Sequence, residues 1–326
     1  MNDVHLRRIA ASPTVLARDL WPESIGRIAS DTDDATTLPA RRVVPGTVDE
    51  LMGWLCVDSG SGNTTPVWVH PDVSEGRRLQ LVLRLQGIVG TISLGPLGDW
   101  NGQAEGAPKA MQTMTLIGTH FADAFAPQVR ALENIRDTVL HLLGRRGVEG
   151  GGDTGRIILK RRVFVKVSSA TGDRAAGGVV LSEAEDPARR ARRLQHMWRV
   201  ERRVAASEAD AAGVLTRLDP LKIKRGDLVD VAVAVQAVTM RTRAGRRTEV
   251  MFCPLHVVRL QTAARMKVGM LLYTWLHNGA YVPSIRCSST NCTVLAIPMS
   301  ILTKRRSWRL DLRMVRTRCS IESFWC

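Results

Sequence analysis

Phenylalanine and tyrosine are scarce: the 326 residues hold five and two, beside eight tryptophans. A core must therefore be built mainly from Val, Leu, Ile, Met and Ala. The scarcity also argues against a sheet that reads RNA by stacking bases on paired rings, because Phe164 stands alone in its strand. Also missing is an apolar run of about 18 residues, the length that a membrane-crossing helix requires. The nearest approach, Val268 to Leu276, is about half of that length. Residues 1–30 contain Arg7, Arg8, Asp19 and Glu23 and no apolar stretch of roughly seven or more, which argues against a secretory signal. The six cysteines are then expected as free thiols in a reducing, intracellular setting. Catalytic signatures are lacking too. There is no His-Glu-x-x-His, no Gly-x-Ser-x-Gly and no Gly-Lys-Ser/Thr. No catalytic residue, metal or cofactor is assigned on this basis.

Positive charge is what the chain has in excess. The net charge is +15, and it is unevenly spread. Residues 1–150 hold 14 Lys and Arg against 17 Asp and Glu, whereas residues 151–326 hold 32 against 14. A basic half of this kind points to a polyanionic partner, nucleic acid foremost. Arg enrichment along the whole chain is the plainer explanation.

Patterning divides the chain. Residues 1–50 are polar and irregular and are expected to be largely disordered, with a short helix near Val15 to Leu20. Residues 51–147 are β-rich, since Leu79, Leu81, Leu83 and Leu85 alternate with other side chains and Ile88 to Leu94 follow as a second strand. That region ends in a helix over 127–143, whose Val129, Leu132, Ile135, Val139 and Leu142 form one apolar stripe, with Gly144 as its cap. Gly147 to Gly155 form a linker at the charge switch and place a domain boundary near 150. They follow a helix and lead into a strand, the reverse of a phosphate-binding loop.

The second half, 156–262, reads as a basic α+β module. A strand spans 156–167 and a helix spans 187–211. A long hairpin over 226–260 is marked by unbroken alternation of Val229, Val231, Val233 and Val235. Pro254 predicts a bulge or an edge position in its second strand. Residues 263–326 mix Arg, Trp and four cysteines with little period and are expected to be an irregular tail rather than a folded domain. The fold class expected is α+β: a small antiparallel open sheet or partial barrel with the C-terminal hairpin, one or two helices and disordered ends.

Gly226-Asp227-Leu228-Val229-Asp230-Val231, the Arg-rich turn after it, and His256-Val257-Val258-Arg259-Leu260 resemble a segment of uncharacterised proteins from mushroom-forming fungi. The resemblance spans 156–262. It implies a selected module there, and it implies no activity, cofactor or site.

Three basic groups are candidate nucleic-acid contacts. Arg189, Arg190, Arg192, Arg193, Arg199, Arg202 and Arg203 would cover a broad face of the expected helix, and they also match a nuclear import pattern, with the cytoplasm as the alternative. Lys160, Arg161 and Arg162 belong to the first strand of the module, with Arg156 and Lys166, and Arg243, Arg246 and Arg247 to the hairpin turn, with Arg241. If these groups share one side of a sheet, they neutralise phosphates without reading bases. A solvated amphipathic helix is the competing reading of the first group. Cys253, His256 and Asp227 are the nearest thing to a nucleophile–base arrangement, although Cys253 lies in an apolar strand and reads as an inert thiol. Cys287/Cys292 and Cys319/Cys326 do not match zinc spacing. The leading function is a non-enzymatic interaction protein that binds nucleic acid through its basic surface. Two alternatives stay open: an enzyme with a site assembled from the loops of 51–125, and a chain with no dedicated function.

Overall fold

The computed structural model describes residues 6–22, 25, 34–58, 64–145, 155–167, 179–200, 203–210, 212–242 and 245–267. Most of the glycine linker, Arg202, Arg243 and residues 268–326, with both cysteine pairs, lie outside the described residues, whereas 263–267 of the expected tail are helical and bury Met266 in the core. The described residues fall in one compact unit, Met1–Ala280.

In chain order the strands are β1 (Leu6–Arg7), β2 (Ala10–Ser12), β3 (Val15–Leu16), β4 (Leu55–Val57), β5 (Thr64–Val69), β6 (Leu79–Gln80), β7 (Val82–Ser93), β8 (Met111–Ile117), β9 (Arg156–Arg162), β10 (Phe164–Lys166), β11 (Trp198–Val200), β12 (Ala205–Ala209), β13 (Leu215–Leu218), β14 (Leu228–Thr242) and β15 (Gly245–Gln261). The helices are α1 (Val48–Trp54), α2 (Ala122–Leu142) and a single turn, α3 (Arg190–Arg193).

The class is α+β, but the sheet is large. It has eleven strands, with the principal order β13-β12-β15-β14-β7-β8-β9. It grows because β14 and β15 are long enough to serve several neighbours. β14 pairs with β7 over 228–234 and with β5 over 236–238, while β15 pairs with β12 over 256–259. Pro254 sits opposite Val233, where the register shifts after Ala232 and short of the 256–259 stretch that pairs with β12, so it lies at a bulge where the second side of β15 carries no ladder among the described residues. A proline has no N–H for the ladder, and a bulge is where a sheet interior tolerates one.

Five of these strands form a barrel. β7, β8 and β9 are consecutive antiparallel neighbours, and β14 returns to the free side of β7, giving the Greek-key order β14-β7-β8-β9. β15 then pairs with β14 and lies against β9, closing the circuit. No ladder joins β9 to β15 among the described residues, so the barrel is partly open. Side chains bridge that gap: Arg161 Nη1 donates to the Pro254 carbonyl at 3.2 Å, and Lys160 Nζ lies 3.5 Å from Glu249 Oε1. Strands on both sides of 146–154 share this barrel, so the charge switch near 150 is not a boundary in the sheet.

Leu83, Leu85, Met114, Leu116, Leu159, Val231, Val233 and Val235 fill the interior and are fully buried. Each such side chain contributes about 1.5–3 kcal/mol relative to exposure. α2 lays Phe125, Val129, Leu132, Ile135 and Val139 on the same core. It begins five residues before the expected Pro127 start, and Gly144 ends it at φ 63°.

Two further expectations are corrected. Residues 6–22, expected to be largely disordered apart from a short helix near Val15 to Leu20, carry β1 to β3 and a 3-10 turn at Ala17–Leu20, and Leu16 and Trp21 are buried. The Trp21 and Phe121 rings meet with centroids 5.3 Å apart, a contact about 100 residues distant in sequence that no local pattern announces. The helix over 187–211 is also absent. Asp186 accepts hydrogen bonds from the N–H groups of Arg190 (2.8 Å) and Arg192 (3.1 Å), which caps one turn only. The chain then extends, because Trp198–Val200 pair with Phe164–Lys166 and β12 joins β15. Sheet pairing outweighs the helix propensity of an Ala- and Arg-rich segment.

Candidate nucleic-acid interface

Alternation along β9 decides which cations are available. Ile157, Leu159 and Arg161 point inward, and Arg161 is only 8% exposed and held by Pro254. Arg161 is therefore a barrel-closing residue and not a surface contact. Arg156, Ile158, Lys160 and Arg162 point outward, about 6.6 Å apart along the strand. Ile158 is 46% exposed, an unusual placement for a large aliphatic side chain in a strand flanked by cations.

The ladder with β8 sets what lies beside each of them. Arg156 is opposite Ile117, Ile158 opposite Thr115, Lys160 opposite Thr113 and Arg162 opposite Met111. One strand further on, β7 places Thr91 beside Thr115 and Ser93 beside Thr113. Buried Met114 and partly buried Ile92 lie on the opposite side of that pairing, which puts the four hydroxyl residues outward. The result is a face with a row of cations on one strand and a field of hydroxyls next to it. Arg162 Nε is buried and has no hydrogen-bond partner among the described residues. An unsatisfied buried donor of this kind calls for an acceptor.

Two segments frame the face. The β7–β8 loop folds back on the start of β8: Asp99 N–H donates to the Met111 carbonyl (3.0 Å) and Met111 N–H to Asp99 Oδ1 (2.6 Å). Gly98 makes this possible, with φ 57° and no room for a Cβ against the Met111 carbonyl. The start of β15 is the second frame. Arg246 and Arg247 there are exposed, and alternation puts Arg247 on the side of Glu249, and hence of Lys160.

The Arg-rich segment 189–203 is assembled differently. A satellite core of Ala107, Ala110, Val163, Phe164, Ala191 and Val200 anchors it to the β7–β8 loop, with the Trp100 and Phe164 rings 5.0 Å apart. Much of its charge is answered locally. Arg189 Nη2 donates to Glu183 (2.6 Å), and Arg203 Nη2 to Glu185 (2.6 Å) and to the Val180 carbonyl (3.2 Å). Burial pushes the Glu185 carboxyl upward, but hydrogen bonds from Ser182 and the Arg203 guanidinium outweigh this and hold it below the usual carboxylate range. Arg190 lies over Gly102, where a Cβ would meet its Nη1. Arg192 and Arg193 are exposed, and Arg199 is half-buried. The structure thus brings Lys160, Arg162 and Arg247 together with Arg156, which the strand reading had also noted. It anchors the described residues of 189–203 to the satellite core instead.

The Cys253, His256 and Asp227 arrangement does not form. The Cys253 thiol is buried and donates to Gln236 Oε1 (3.5 Å), His256 Nε2 pairs with Ser207 Oγ (2.9 Å), and Asp227 accepts from the N–H groups of Lys224 and Ala263. Among the described residues, no three His, Cys, Asp or Glu side chains could hold a metal ion, and no helix is long and apolar enough to cross a membrane.

A five-stranded, partly open Greek-key barrel is the architecture of the OB-fold, in which the face of the second and third strands and the loops joining strands one to two and four to five take oligonucleotides or oligosaccharides. In this chain those parts are β8, β9, the loop over 94–110 and the β14–β15 turn. No protein-family model matches the chain, and no curated protein matches it. Among solved structures it is similar to the single-stranded DNA-binding protein of bacteriophage Enc34 without its C-terminus (12% identity, 64% of this chain and 94% of that chain, TM-score 0.27). It is also similar to gp2.5, the single-stranded DNA-binding protein of bacteriophage T7 (12% identity, 56% and 92%, TM-score 0.29). At these scores the likeness carries no argument.

Proposed function

We propose that the protein binds single-stranded nucleic acid through the outer face of β8 and β9, mainly by contacts to the phosphate backbone. One observation carries the reading. Arg156, Lys160 and Arg162 stand in one outward row of β9 with exposed Ile158 between them, on the face that this barrel type offers to oligomers. A fold alone assigns no function, so the chemistry of the row matters more than its address. Lys and Arg neutralise phosphates through charge-assisted hydrogen bonds. Ile158 gives a base or sugar an apolar surface. With no paired aromatic rings on β9, sequence reading is weak and salt dependence is steep.

The test is fluorescence anisotropy of the full chain with a labelled single strand and with the same sequence as a duplex, at near-physiological salt. The single strand is expected to bind more tightly. Arg156→Gln, Lys160→Gln and Arg162→Gln together should weaken it at least about tenfold, a loss of roughly 1.4 kcal/mol, with an unchanged circular dichroism spectrum. Wild-type affinity in the folded triple variant would remove the reading.

A further inference from the structure

We infer that the hydroxyl field beside the cation row reads ribose, so that the strand held on β9 is RNA in preference to DNA. This rests on the reading just given and names its substrate class.

The flanks of β9 are chemically unlike. On one side lies β15, which presents Glu249 beside Lys160 and buried Met251 and Cys253 further along. On the other lies β8, about 4.8 Å away, with Thr113 and Thr115 outward, and then β7 with Ser93 and Thr91. A chain whose phosphates follow Arg156, Lys160 and Arg162 must set its sugars over one flank. Glu249 repels the backbone, and buried Met251 and Cys253 present no open surface to a sugar, so the sugars go over β8.

There they meet hydroxyls in two rungs: Ser93–Thr113–Lys160 and Thr91–Thr115–Ile158. Thr91 Oγ1 donates to Thr115 Oγ1 at 2.8 Å. That bond uses one donor, and each oxygen retains acceptor capacity. A ribose 2′-OH is both donor and acceptor, and it is the group by which a protein tells RNA from DNA. Deoxyribose would cover the same threonines with a C–H surface, leaving them partly desolvated without a new partner. Two hydrogen bonds made to RNA alone correspond to a preference between about fivefold and about a hundredfold.

Threonine hydroxyls also bind phosphate oxygens, which both nucleic acids carry, so the variants must separate the two. Labelled oligouridylate and oligodeoxyuridylate of about fifteen nucleotides, within the span of one such barrel, share the base and differ only in the sugar. The full chain should bind the RNA more tightly. Thr113→Val with Thr115→Val keeps branched side chains that suit a strand. This double variant should lose the preference by weakening RNA alone while the DNA affinity stays within about twofold. Equal affinity of the wild type for both oligomers overturns the inference and leaves the binding site standing. Equal weakening of both in the variant also overturns it, because the hydroxyls then touch phosphate. Binding of neither oligomer removes the site itself, and this inference with it.

Discussion

β9 and the segment 189–203 are both dense in arginine, yet they make opposite use of it. In β9 the two-residue period of a strand sorts charge by face, so that alternate residues go inward and three cations line up outward, with Glu249 reaching Lys160. In 189–203 the backbone makes one turn and then extends, scattering the side chains, and Glu183, Glu185 and Asp186 take up guanidinium or backbone donors. The denser run in sequence is thus the poorer surface in space. Charge density becomes a binding site only when secondary structure collects it on one face.

The strongest contrast is expected from Lys160→Glu, which puts a carboxylate into the row beside Glu249. Single-strand affinity should fall by more than about tenfold, measured by anisotropy, whereas Arg193→Glu in the 189–203 segment should change it by less than about threefold. A larger loss from Arg193 would reverse the assignment of the two regions. Next in size is Asp186→Ala. Removing a cap that serves two N–H groups should cost about 1–2 kcal/mol in urea unfolding and leave binding within about twofold, if the segment is structural rather than a contact surface. Glu249→Gln should act in the other direction. It removes the acid that competes for Lys160 and should raise affinity about two- to fivefold, an effect that fades with added salt. A tighter complex at low salt that persists in high salt would mean that Glu249 acts by shape and not by charge.

The smallest expected effect is the acid sensitivity of the 180–203 segment. The Glu185 carboxyl is held below its ordinary range in the folded state, so its contribution is present above the unfolded value and is lost as pH falls through the folded one. The pair is near the surface, which limits the contribution to about 1 kcal/mol or less. Glu185→Gln should lower the melting temperature slightly near neutrality, and the gap from wild type should close below about pH 4. A gap that stays constant with pH would show that the Arg203 pair contributes nothing.

Much of the barrel was legible where the pattern is local. Unbroken alternation of Val229 to Val235 announced the hairpin, Ile157 and Leu159 announced β9, and the stripe from Val129 to Leu142 announced most of α2. What escaped depends on contacts distant in sequence. Trp21 against Phe121 orders the early residues, and Trp198–Val200 becomes strand because Phe164–Lys166 needs a partner. The pairing of β8 with β9 across 146–154 overrides a charge switch that looked like a boundary. Part of the site was within reach. The same alternation that made β9 a strand puts Arg161 with Ile157 and Leu159 and separates it from Lys160 and Arg162. The alternation of Thr113 and Thr115 with Met114 and Leu116 likewise marked an outward hydroxyl row, although only the ladder shows that it adjoins the cations.

The most direct measurement is the salt dependence of single-strand affinity in two triple variants of the full chain, Arg156→Gln/Lys160→Gln/Arg162→Gln and Arg189→Gln/Arg192→Gln/Arg193→Gln. Each phosphate contact adds about 0.7 to the slope of log affinity against log salt for a single strand. The β9 variant should lose about two units of slope and the other variant close to none. An unchanged slope in the β9 variant with a loss in the other would contradict the structure-based assignment and return the site to the arginine-dense segment.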